Sequence, residues 1–237
     1  MSAGESPSAA IEPAGLAAAD GRARPAVPSI GKILLASRSP RRRELLSSYG
    51  IEHEAEHPGF DDSILRPGNT SPRTWVTSLA HLKALAGLEQ LQERGRAAEF
   101  SYVLGADTTC VRDRAVLGTP ADASEARSIL RALRDGEHEV ITGVALVRTS
   151  DAARMLFADR AMVRWGAVSD GQIEEYLATG RWEAKAGAYN LHERILAGWP
   201  ITFEGDATTI TGLPMGMLVR VLTRLHARRT GSTAPSH

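Results

Sequence analysis

The sequence predicts a mixed α/β fold, with a sheet that contains both parallel and antiparallel strands. Strand-like apolar runs alternate with helix-like segments along most of the 237 residues. Two long strand-like segments, 137–149 and 155–168, are separated only by a polar turn, which is typical of an antiparallel pair. This pattern favours a mixed sheet over a purely parallel one. The length suffices for one large core or for two lobes that share a cleft.

The first predicted elements are a strand, a tight loop and a helix. The apolar run 33–36 is typical of a buried strand, and 37–39 is expected to be a loop. Pro40 then predicts the first turn of a helix, where the missing N–H of proline costs nothing. Gly50 is expected to end that helix, and 51–57 alternates like a second strand.

A loop and a long helix are expected next. The segment 58–71 has the composition of a loop, and Pro72 can begin the helix. Gly87 and Gly95 are candidate interruptions or ends of this helix. Four large apolar residues are expected on its packed side: Trp75, Leu79, Leu82 and Leu85.

The middle of the chain predicts a strand that ends at a carboxylate. The apolar run 102–106 leads to Asp107, and 108–117 resembles a hairpin. Asp122, with Glu125 three residues later, is typical of a capped helix start. The antiparallel pair is followed by a helix that Ser169 and Gln172 are expected to cap and that Gly180 ends. The last predicted elements are short strands at 201–203 and 208–211 and a terminal helix at 215–228.

We expect three regions along the chain. Residues 1–29 are rich in alanine and proline and predict a disordered extension. Residues 30–228 contain the predicted elements and form the expected domain. Residues 229–237 are expected to be a flexible tail.

Composition excludes several classes of protein. The formal net charge is zero, which argues against a general nucleic-acid binder. No apolar run approaches the roughly 18 residues of a membrane span, and the N-terminus lacks the apolar core of a secretory signal, so we expect a cytoplasmic protein without membrane contact. Cys110 is the one cysteine and is expected to be a small buried strand residue.

Three consecutive arginines open the first predicted helix. A helix N-terminus already has a partial positive charge and attracts anions. Arg41 and Arg42 could bind a polyphosphate there, with hydroxyl groups of Ser37 and Ser39 as further donors. Arg43 is a weaker candidate, because successive helical side chains point roughly 100° apart. The alternative is a solvated basic turn.

Lysine is rare in this chain and therefore informative. The sequence has 25 arginines and three lysines, so a lysine is expected where a compact point charge matters. Lys83 and Lys185 are the candidates for phosphate contacts, whereas Lys32 is expected to be a solvated residue. The alternative for Lys83 is a lysine whose ammonium extends from an apolar helix face to solvent.

Two acidic positions are candidates for metal binding or catalysis. Asp107 follows an apolar strand and could bind a divalent ion or deprotonate a water molecule, although a turn aspartate that accepts local hydrogen bonds is the alternative. Asp61 and Asp62 form a carboxylate pair in the loop before the long helix, which suits a hard cation or is simply an acidic surface turn.

Six sequence blocks resemble the Maf family of nucleoside triphosphate pyrophosphatases. In chain order they are Ser37-Arg-Ser-Pro-Arg-Arg-Arg-Glu-Leu-Leu46, Leu79-Ala-His-Leu-Lys83-Ala, Leu104-Gly-Ala-Asp-Thr108, Thr142-Gly-Val144, Lys185-Ala-Gly-Ala-Tyr189 and Gly212-Leu-Pro214. The resemblance covers about 33–225. It implies a two-lobed fold similar to that of inosine triphosphatases, with a central cleft, activation by Mg²⁺ or Mn²⁺ and frequent homodimers.

The resemblance also implies roles for residues. Asp107 and Lys83 match catalytic positions, and Asp62 is preferred to Asp61 as a metal ligand beside Asp107 because it aligns with an acidic position of the family. Tyr189 ends a flexible loop that could approach a nucleotide, where its ring would either stack on the ligand or pack against the protein.

Several positions depart from the family pattern. Thr119 stands where the family usually has a lysine, so a cation that would stabilise the transition state is lost. His192 replaces a glutamine that contacts the water or metal, and is either a site residue or a surface histidine. Ala184 replaces an aspartate. The usual asparagine before the Gly212 turn is also missing.

Two functional hypotheses follow from the sequence. The first is hydrolysis of a nucleoside triphosphate to the monophosphate and pyrophosphate, in a house-cleaning role on dTTP, UTP or modified nucleotides. The uninterrupted Ser-Pro-Arg-Arg and the Asp107 block resemble the dTTP and UTP branch more than the 7-methyl-GTP branch. The second is a degenerate, regulatory nucleotide-binding protein with little turnover, suggested by Thr119, Ala184 and His192. A nucleic-acid binder fits the arginines only locally.

Overall fold

A computed structural model describes residues 26–62 and 64–231. Most of the predicted extension, 1–25, and most of the predicted tail, 232–237, lie outside the described residues. Val27 packs against a core cluster, and the carbonyl group of Ser29 lies 2.8 Å from Nδ1 of His226. The packed part of the chain therefore begins before residue 30.

One mixed sheet of seven strands forms the centre of the described protein. The strands are β1 (Ile33–Ala36), β2 (His53–Glu56), β3 (Tyr102–Arg112), β4 (Ala115–Leu117), β5 (Gly136–Arg148), β6 (Arg154–Trp165) and β7 (Ile201–Glu204). Their order is β2-β1-β3-β5-β6-β7, with β4 paired to β3. β1 is parallel to β2 and β3, and every other pair is antiparallel, which confirms the predicted mixed sheet.

Seven α-helices surround this sheet within the described residues. They are α1 (Pro40–Ser48), α2 (Pro72–Glu93), α3 (Ala123–Leu133), α4 (Asp170–Ala178), α5 (Leu191–Leu196), α6 (Ala207–Thr211) and α7 (Met215–Arg229), with 3₁₀ turns at Ala97–Glu99 and Ala186–Ala188. The predicted caps are present. Asp122 accepts the N–H of Glu125 at 2.8 Å, and Ser169 and Gln172 form a reciprocal capping box. No helix among these is both long and apolar enough to span a bilayer.

The buried residues form two lobes joined by the long strands. In the first lobe, one cluster lies between the sheet and α7, around Leu104 and Leu218, and another lies between the sheet and α2. The second lobe contains α3, α4 and α5 and is rich in aromatic rings, with Trp165 5.2 Å from Trp199 in an edge-to-face contact. β3 and β5 contribute residues to both lobes.

Helix α2 lies directly on the sheet because glycines leave room for its backbone. A Cβ atom at Gly105 would lie 2.0 Å from the carbonyl oxygen of Ala80, and one at Gly143 would lie 2.5 Å from the N atom of Thr77. Backbone atoms cannot move aside as a flexible side chain can. Glycine on β3 and β5 therefore determines how closely α2 approaches the sheet.

The predicted packed side of α2 is right for Leu79, which is buried, and for Trp75, which packs against a small core cluster, but it is wrong for the other two residues. Leu82 and Leu85 are 38% and 37% exposed. Gly87, expected to interrupt the helix, lies inside it, against Ala36 and Val103. The buried residues of α2 are Val76, Leu79, Ala80, Ala84, Gly87, Leu88 and Leu91. Small residues form much of this face because the helix lies so close to the sheet. A prediction from the spacing of large apolar residues alone therefore placed Leu82 and Leu85 on the wrong side.

Two further element predictions need correction. β3 does not end before Asp107 but continues to Arg112, because β5 pairs with it from Tyr102 to Val111. The segment 208–211 belongs to helix α6 and is not a strand. Asp206 caps this helix by accepting the N–H of Thr208 at 2.8 Å, a local bond that stabilises a turn over an extended segment.

Candidate active site

The candidate site lies where β3 lacks a neighbour on one side. β1 pairs with β3 only at 102–104, and β4 pairs with the same side only at 110–112. Between these segments, the described strands leave the edge of 105–109 open. The loop 37–39 and the start of α1 follow directly after β1, so the chain brings them to this gap. A cavity of about 750 Å³ occupies the region.

Most of the predicted site residues line this one cavity. They are Ser39, Arg41, Arg42, Arg43, Lys83, Asp107, Thr119, Ala184, Tyr189 and His192. Ser37 and Asp62 adjoin the cavity through hydrogen bonds or ion pairs to Arg42 and Lys83. Lys185 instead donates to the carbonyl oxygen of Arg181, and burial lowers its pKa.

Arg42 is held by three protein acceptors. Its Nε donates to the carbonyl oxygen of Gly212 at 2.8 Å, Nη1 to Oγ of Ser37 at 3.2 Å, and Nη2 to Oγ1 of Thr108 at 3.1 Å. Burial lowers the pKa of Arg42 to about 10, although the nearby carboxylate of Asp107 opposes the shift. Arg42 is still a cation at neutral pH, in a place with little solvent to screen its charge.

The other two arginines differ in their surroundings. Arg41 is half-buried, and this burial lowers its pKa, whereas the charge of Glu193 raises it. Arg43 is exposed at the rim of the cavity. The helical rotation between neighbouring residues separates the three side chains as expected. Ser39 caps α1 by accepting the N–H of Arg42 at 3.4 Å.

Lys83 joins two carboxylates. Its Nζ lies 2.6 Å from Oδ1 of Asp107 and 2.6 Å from Oδ2 of Asp62. The structure thus brings Asp62, as preferred, to Lys83 and Asp107. Burial raises the pKa of Asp107, while the Lys83 ammonium and the Arg42 guanidinium lower it. A raised pKa makes this carboxylate a better proton acceptor than a solvated aspartate.

This pair of carboxylates fits a hard divalent cation. Two carboxylates that both touch one ammonium nitrogen are close enough for one ion to reach both, and Mg²⁺ is commonly held by one or two carboxylates with substrate phosphates and water. No group of three or more His, Cys, Asp or Glu side chains in the described part of the chain could hold a metal by itself. Water molecules and substrate phosphate oxygens would supply the remaining ligands.

Tyr189 packs against the protein. Its hydroxyl group lies 2.8 Å from Nε2 of His138, and its ring makes an edge-to-face contact with Trp165 at 4.9 Å. His138 is buried, and its Nδ1 has no hydrogen-bond partner among the described residues. Burial, with a smaller effect of the Arg112 charge, lowers the pKa of His138 to about 4. No local pattern in the sequence had pointed to His138.

The position where the resemblance predicts a lysine is uncharged. Thr119 is exposed and lines the cavity, and neither Arg112 nor Arg114 lines it to replace the missing lysine. Nε2 of His192 is buried and has no hydrogen-bond partner among the described residues. Cys110 is buried as predicted, and burial raises the pKa of its thiol to about 12, so it is no nucleophile at neutral pH.

Sequence reasoning also missed the polar residues behind Arg42. Thr108 contacts Arg42 directly, and Thr142 contacts Thr108 at 2.9 Å. Both threonines lie in blocks that the family resemblance had singled out, as does Gly212. Their position in those blocks was the available signal, but only the strand register shows that they meet.

Comparison with known proteins gives consistent results. A family model described as a Maf-like protein matches residues 32–225. A dTTP/UTP pyrophosphatase of Anaeromyxobacter sp. (strain Fw109-5) is 35% identical over 207 residues, which cover 86% of this chain and 92% of the relative. Relatives with the same name in Pelotomaculum thermopropionicum and Symbiobacterium thermophilum are 36% and 38% identical, each over 81% of this chain and over 95% and 93% of their own lengths.

Proposed function

This chain belongs to the Maf-like protein family, and from that premise we propose that it hydrolyses a nucleoside triphosphate to the nucleoside monophosphate and pyrophosphate. The single observation that supports this proposal best is the cavity that contains both halves of such a site. Arg41 and Arg42 provide cations for a polyphosphate, and Asp107 with Lys83 provides a carboxylate and an ammonium in the same cavity.

The proposed reaction uses Asp107 as the base. A water oxygen attacks the α-phosphorus, and its proton passes to the Asp107 carboxylate. The bond between the α-phosphorus and the oxygen that bridges to the β-phosphorus breaks, and its electron pair stays on that oxygen. Arg42 and Lys83 stabilise the negative charge that develops on the departing pyrophosphate, in an environment where burial strengthens electrostatic interactions.

A divalent cation, Mg²⁺ or Mn²⁺, belongs to this proposal. Asp62 and Asp107 would hold it, and it would supply charge neutralisation on the phosphate oxygens when bound. Lys83 would then be free to contact the substrate, because a lysine side chain has four flexible carbon atoms.

The relatives suggest which base to test first. All three relatives described above are named dTTP/UTP pyrophosphatase, and we extend that preference to this chain as part of the proposal. Apolar and aromatic side chains line part of the same cavity, including Val140, Tyr189 and Leu191, which suits a nucleotide base next to the charged end.

A second candidate function rests on the wall at Thr119. Without a cation there, the site could bind a nucleotide and hydrolyse it slowly, as a regulatory nucleotide-binding protein would. Tight binding of triphosphates by the wild-type chain with negligible turnover would favour this alternative.

Release of pyrophosphate tests the proposal. Purified chain with Mg²⁺ or Mn²⁺ is incubated with dTTP, UTP, CTP, ATP, GTP and 7-methyl-GTP, and pyrophosphate and monophosphate are measured. We expect release from dTTP and UTP, and a loss of at least about 100-fold in kcat for Asp107→Asn, which cannot accept the proton.

A matched control distinguishes the site from a general effect of charge. Asp151→Asn changes an exposed aspartate in the turn after β5, far from the cavity, and should leave turnover unchanged. Wild-type chain that releases no pyrophosphate from any member of the panel contradicts the proposal. The homodimer and the cytoplasmic location inferred from the sequence stay predictions.

A further inference from the structure

We propose that Thr142 is a positioning residue for Arg42, acting through a chain of hydroxyl groups that starts at helix α6. The inference rests on the proposed function in taking Arg42 as a phosphate ligand. Thr142 is completely buried and does not line the cavity, so it acts on the ligand only through its neighbours.

The register of the sheet brings the members of this chain together. Thr108 on β3 is paired with Thr142 on β5, and Thr142 is paired with Asp159 on β6. Residues directly opposite each other in antiparallel strands point to the same face. The side chains of Thr108, Thr142 and Asp159 therefore form a row on the face of the sheet that α1 and α6 cover. The neighbouring positions Asp107 and Gly143 lie on the opposite face, towards α2.

The direction of the hydrogen bonds follows from the acceptor at the α6 end. Oγ1 of Thr142 lies 2.7 Å from the carbonyl oxygen of Thr209, which can only accept, so Thr142 donates there. A hydroxyl group has one hydrogen to donate. Thr108 must therefore donate to Thr142 across their 2.9 Å contact, and its lone pairs accept from Nη2 of Arg42.

The direction of these hydrogen bonds determines whether Thr108 presents a lone pair to the Arg42 guanidinium. If Thr142 had no hydroxyl group, Thr108 could rotate its own hydrogen towards other acceptors, and the lone pair now facing Arg42 would no longer be held in place. The guanidinium has five N–H donors, and its contacts with Gly212, Ser37 and Thr108 use one at each nitrogen. Among the described residues, one N–H on each Nη atom remains for a phosphate.

Asp159 holds the other end of the chain. Its Oδ2 accepts a hydrogen bond from the hydroxyl group of Thr209 at 2.5 Å. This bond fixes Thr209, whose carbonyl oxygen accepts the hydrogen bond from Thr142. Gly212 is the C-cap residue of α6, and its carbonyl oxygen accepts a hydrogen bond from Nε of Arg42. The short helix α6 is thus connected to Arg42 by two routes. One is the hydrogen bond from Arg42 to its C-cap residue Gly212, and the other is the chain of hydrogen bonds through Thr142 and Thr108.

Binding of inorganic pyrophosphate, measured by calorimetry, tests the inference without requiring turnover. We expect Thr142→Val, which keeps the shape and removes the hydroxyl group, to weaken binding about tenfold, whereas Thr142→Ser, which keeps the hydroxyl group, should stay within about twofold. Thr109→Val is the control: Thr109 is buried on the same strand as Thr108 but does not line the cavity or contact Arg42.

A double-mutant cycle separates positioning from a general loss of structure. If Thr142 acts through Arg42, then Thr142→Val in an Arg42→Ala background should weaken pyrophosphate binding no further. Additive losses would overturn the inference. If Thr142→Val does not fold, Asp159→Ala tests the same chain from its half-buried end, with an expected loss of about threefold, and unchanged binding would overturn the inference.

The results also distinguish this inference from the proposed function. Binding that depends on Arg42 but not on Thr142 or Asp159 would contradict only the inference. A wild-type chain that neither binds pyrophosphate nor hydrolyses any triphosphate would contradict both.

Discussion

At the scale of single residues, Lys83 has two roles that oppose each other: it would assist the proposed reaction, and it occupies the carboxylates that would bind the metal. Its ammonium group lies 2.6 Å from a carboxylate oxygen of Asp62 and 2.6 Å from one of Asp107. A divalent cation would use these same carboxylates, so the ammonium group and the metal compete for them. The lysine that assists the proposed reaction should therefore reduce the affinity of the free protein for metal.

Replacement of Lys83 should separate the two tasks. We expect Lys83→Met to increase the affinity for Mn²⁺ in the absence of nucleotide by about tenfold, because one positive charge beside two carboxylates is removed. Pyrophosphate release should fall sharply in the same variant. Electron paramagnetic resonance of free Mn²⁺ measures the affinity.

A neighbouring substitution controls for changes in the helix. Leu82→Met lies on the exposed side of α2 and should change neither Mn²⁺ affinity nor turnover. Weaker Mn²⁺ binding by Lys83→Met would contradict the competition.

His138 should make the stability of the protein depend on pH. Burial lowers its pKa from 6.5 to about 4, so the folded protein keeps this histidine neutral where the unfolded chain is protonated. As pH falls from 6.5 to 4, the unfolded chain takes up a proton that the folded chain does not, and the free energy of unfolding decreases. The loss from this group could reach about 3 kcal/mol.

Urea unfolding at pH 6.5 and pH 4 measures this effect. We expect His138→Gln to lose less free energy of unfolding between these two values than the wild type, because its side chain does not titrate. His57→Gln is the control, since His57 is exposed. Equal pH dependence of wild type and His138→Gln would show that His138 is not the responsible group.

At the scale of secondary-structure elements, the contact between α2 and the sheet determines the position of Lys83. A Cβ atom at Gly143 would lie 2.5 Å from the N atom of Thr77 and 2.6 Å from the carbonyl oxygen of Val76. We expect Gly143→Ala to push α2 away from β5 and to destabilise the protein by about 2–3 kcal/mol. Lys83 should move away from Asp107 with the helix.

Two measurements check this prediction. Urea unfolding gives the change in stability, and pyrophosphate release at a temperature where the variant is folded gives the effect on the site. Gly171→Ala, in α4 with space for a methyl group, should be neutral or stabilising by up to about 1 kcal/mol. A Gly143→Ala variant with wild-type stability and turnover would contradict the role of this contact.

The same helix shows what the sequence could predict. Local patterns predicted most elements and their caps, including Asp122 and Ser169, because such signals involve residues close in the chain. Leu82 and Leu85 were wrongly placed on the packed side of α2, because that side lies against Gly105 and Gly143, which are far away in sequence. Which face of α2 is buried depends on tertiary contacts with the sheet, and the spacing of large apolar residues within the helix cannot predict those contacts.

The charged residues of the candidate site could be predicted from the sequence, but the contacts between distant strands could not. The arginines, Lys83 and Asp107 have unusual charges for their local positions, and all of them lie in blocks that resemble the family. The row of Thr108, Thr142 and Asp159 requires the pairing of three strands, and the contact between His138 and Tyr189 joins positions 51 residues apart. Thr108 and Thr142 also lie in such blocks, but their uncharged side chains gave no local reason to connect them with Arg42, and His138 lies outside the blocks.

At the scale of the whole molecule, two helices supply every lysine and arginine among the described residues that line the cavity. These residues are Arg41, Arg42 and Arg43 of α1 and Lys83 of α2. The lining residues that follow β3 in the chain, including Thr119, Ala184 and His192, contribute no lysine or arginine. A triphosphate in this cavity would be bound by cations from α1 and α2 alone, and the charge that develops during bond cleavage would be stabilised incompletely.

A lysine at position 119 should complete the charge distribution. Thr119 is exposed on the loop after β4, and the neighbouring Gly118 carbonyl oxygen accepts the N–H of Gly187, which joins this loop to the wall near Tyr189. We expect Thr119→Lys to raise kcat for dTTP or UTP by about tenfold or more, because a cation that acts mainly on the transition state accelerates the chemical step.

The size of that change distinguishes the two functional hypotheses. Thr119→Met, of similar length but uncharged, is the control and should leave kcat near the wild-type value. A gain with lysine alone would show that the fold retains a competent site weakened by one missing charge. If Thr119→Lys tightens nucleotide binding but leaves kcat unchanged, then the introduced lysine stabilises substrate and transition state equally, and the role of a nucleotide-binding protein with little turnover becomes the better account.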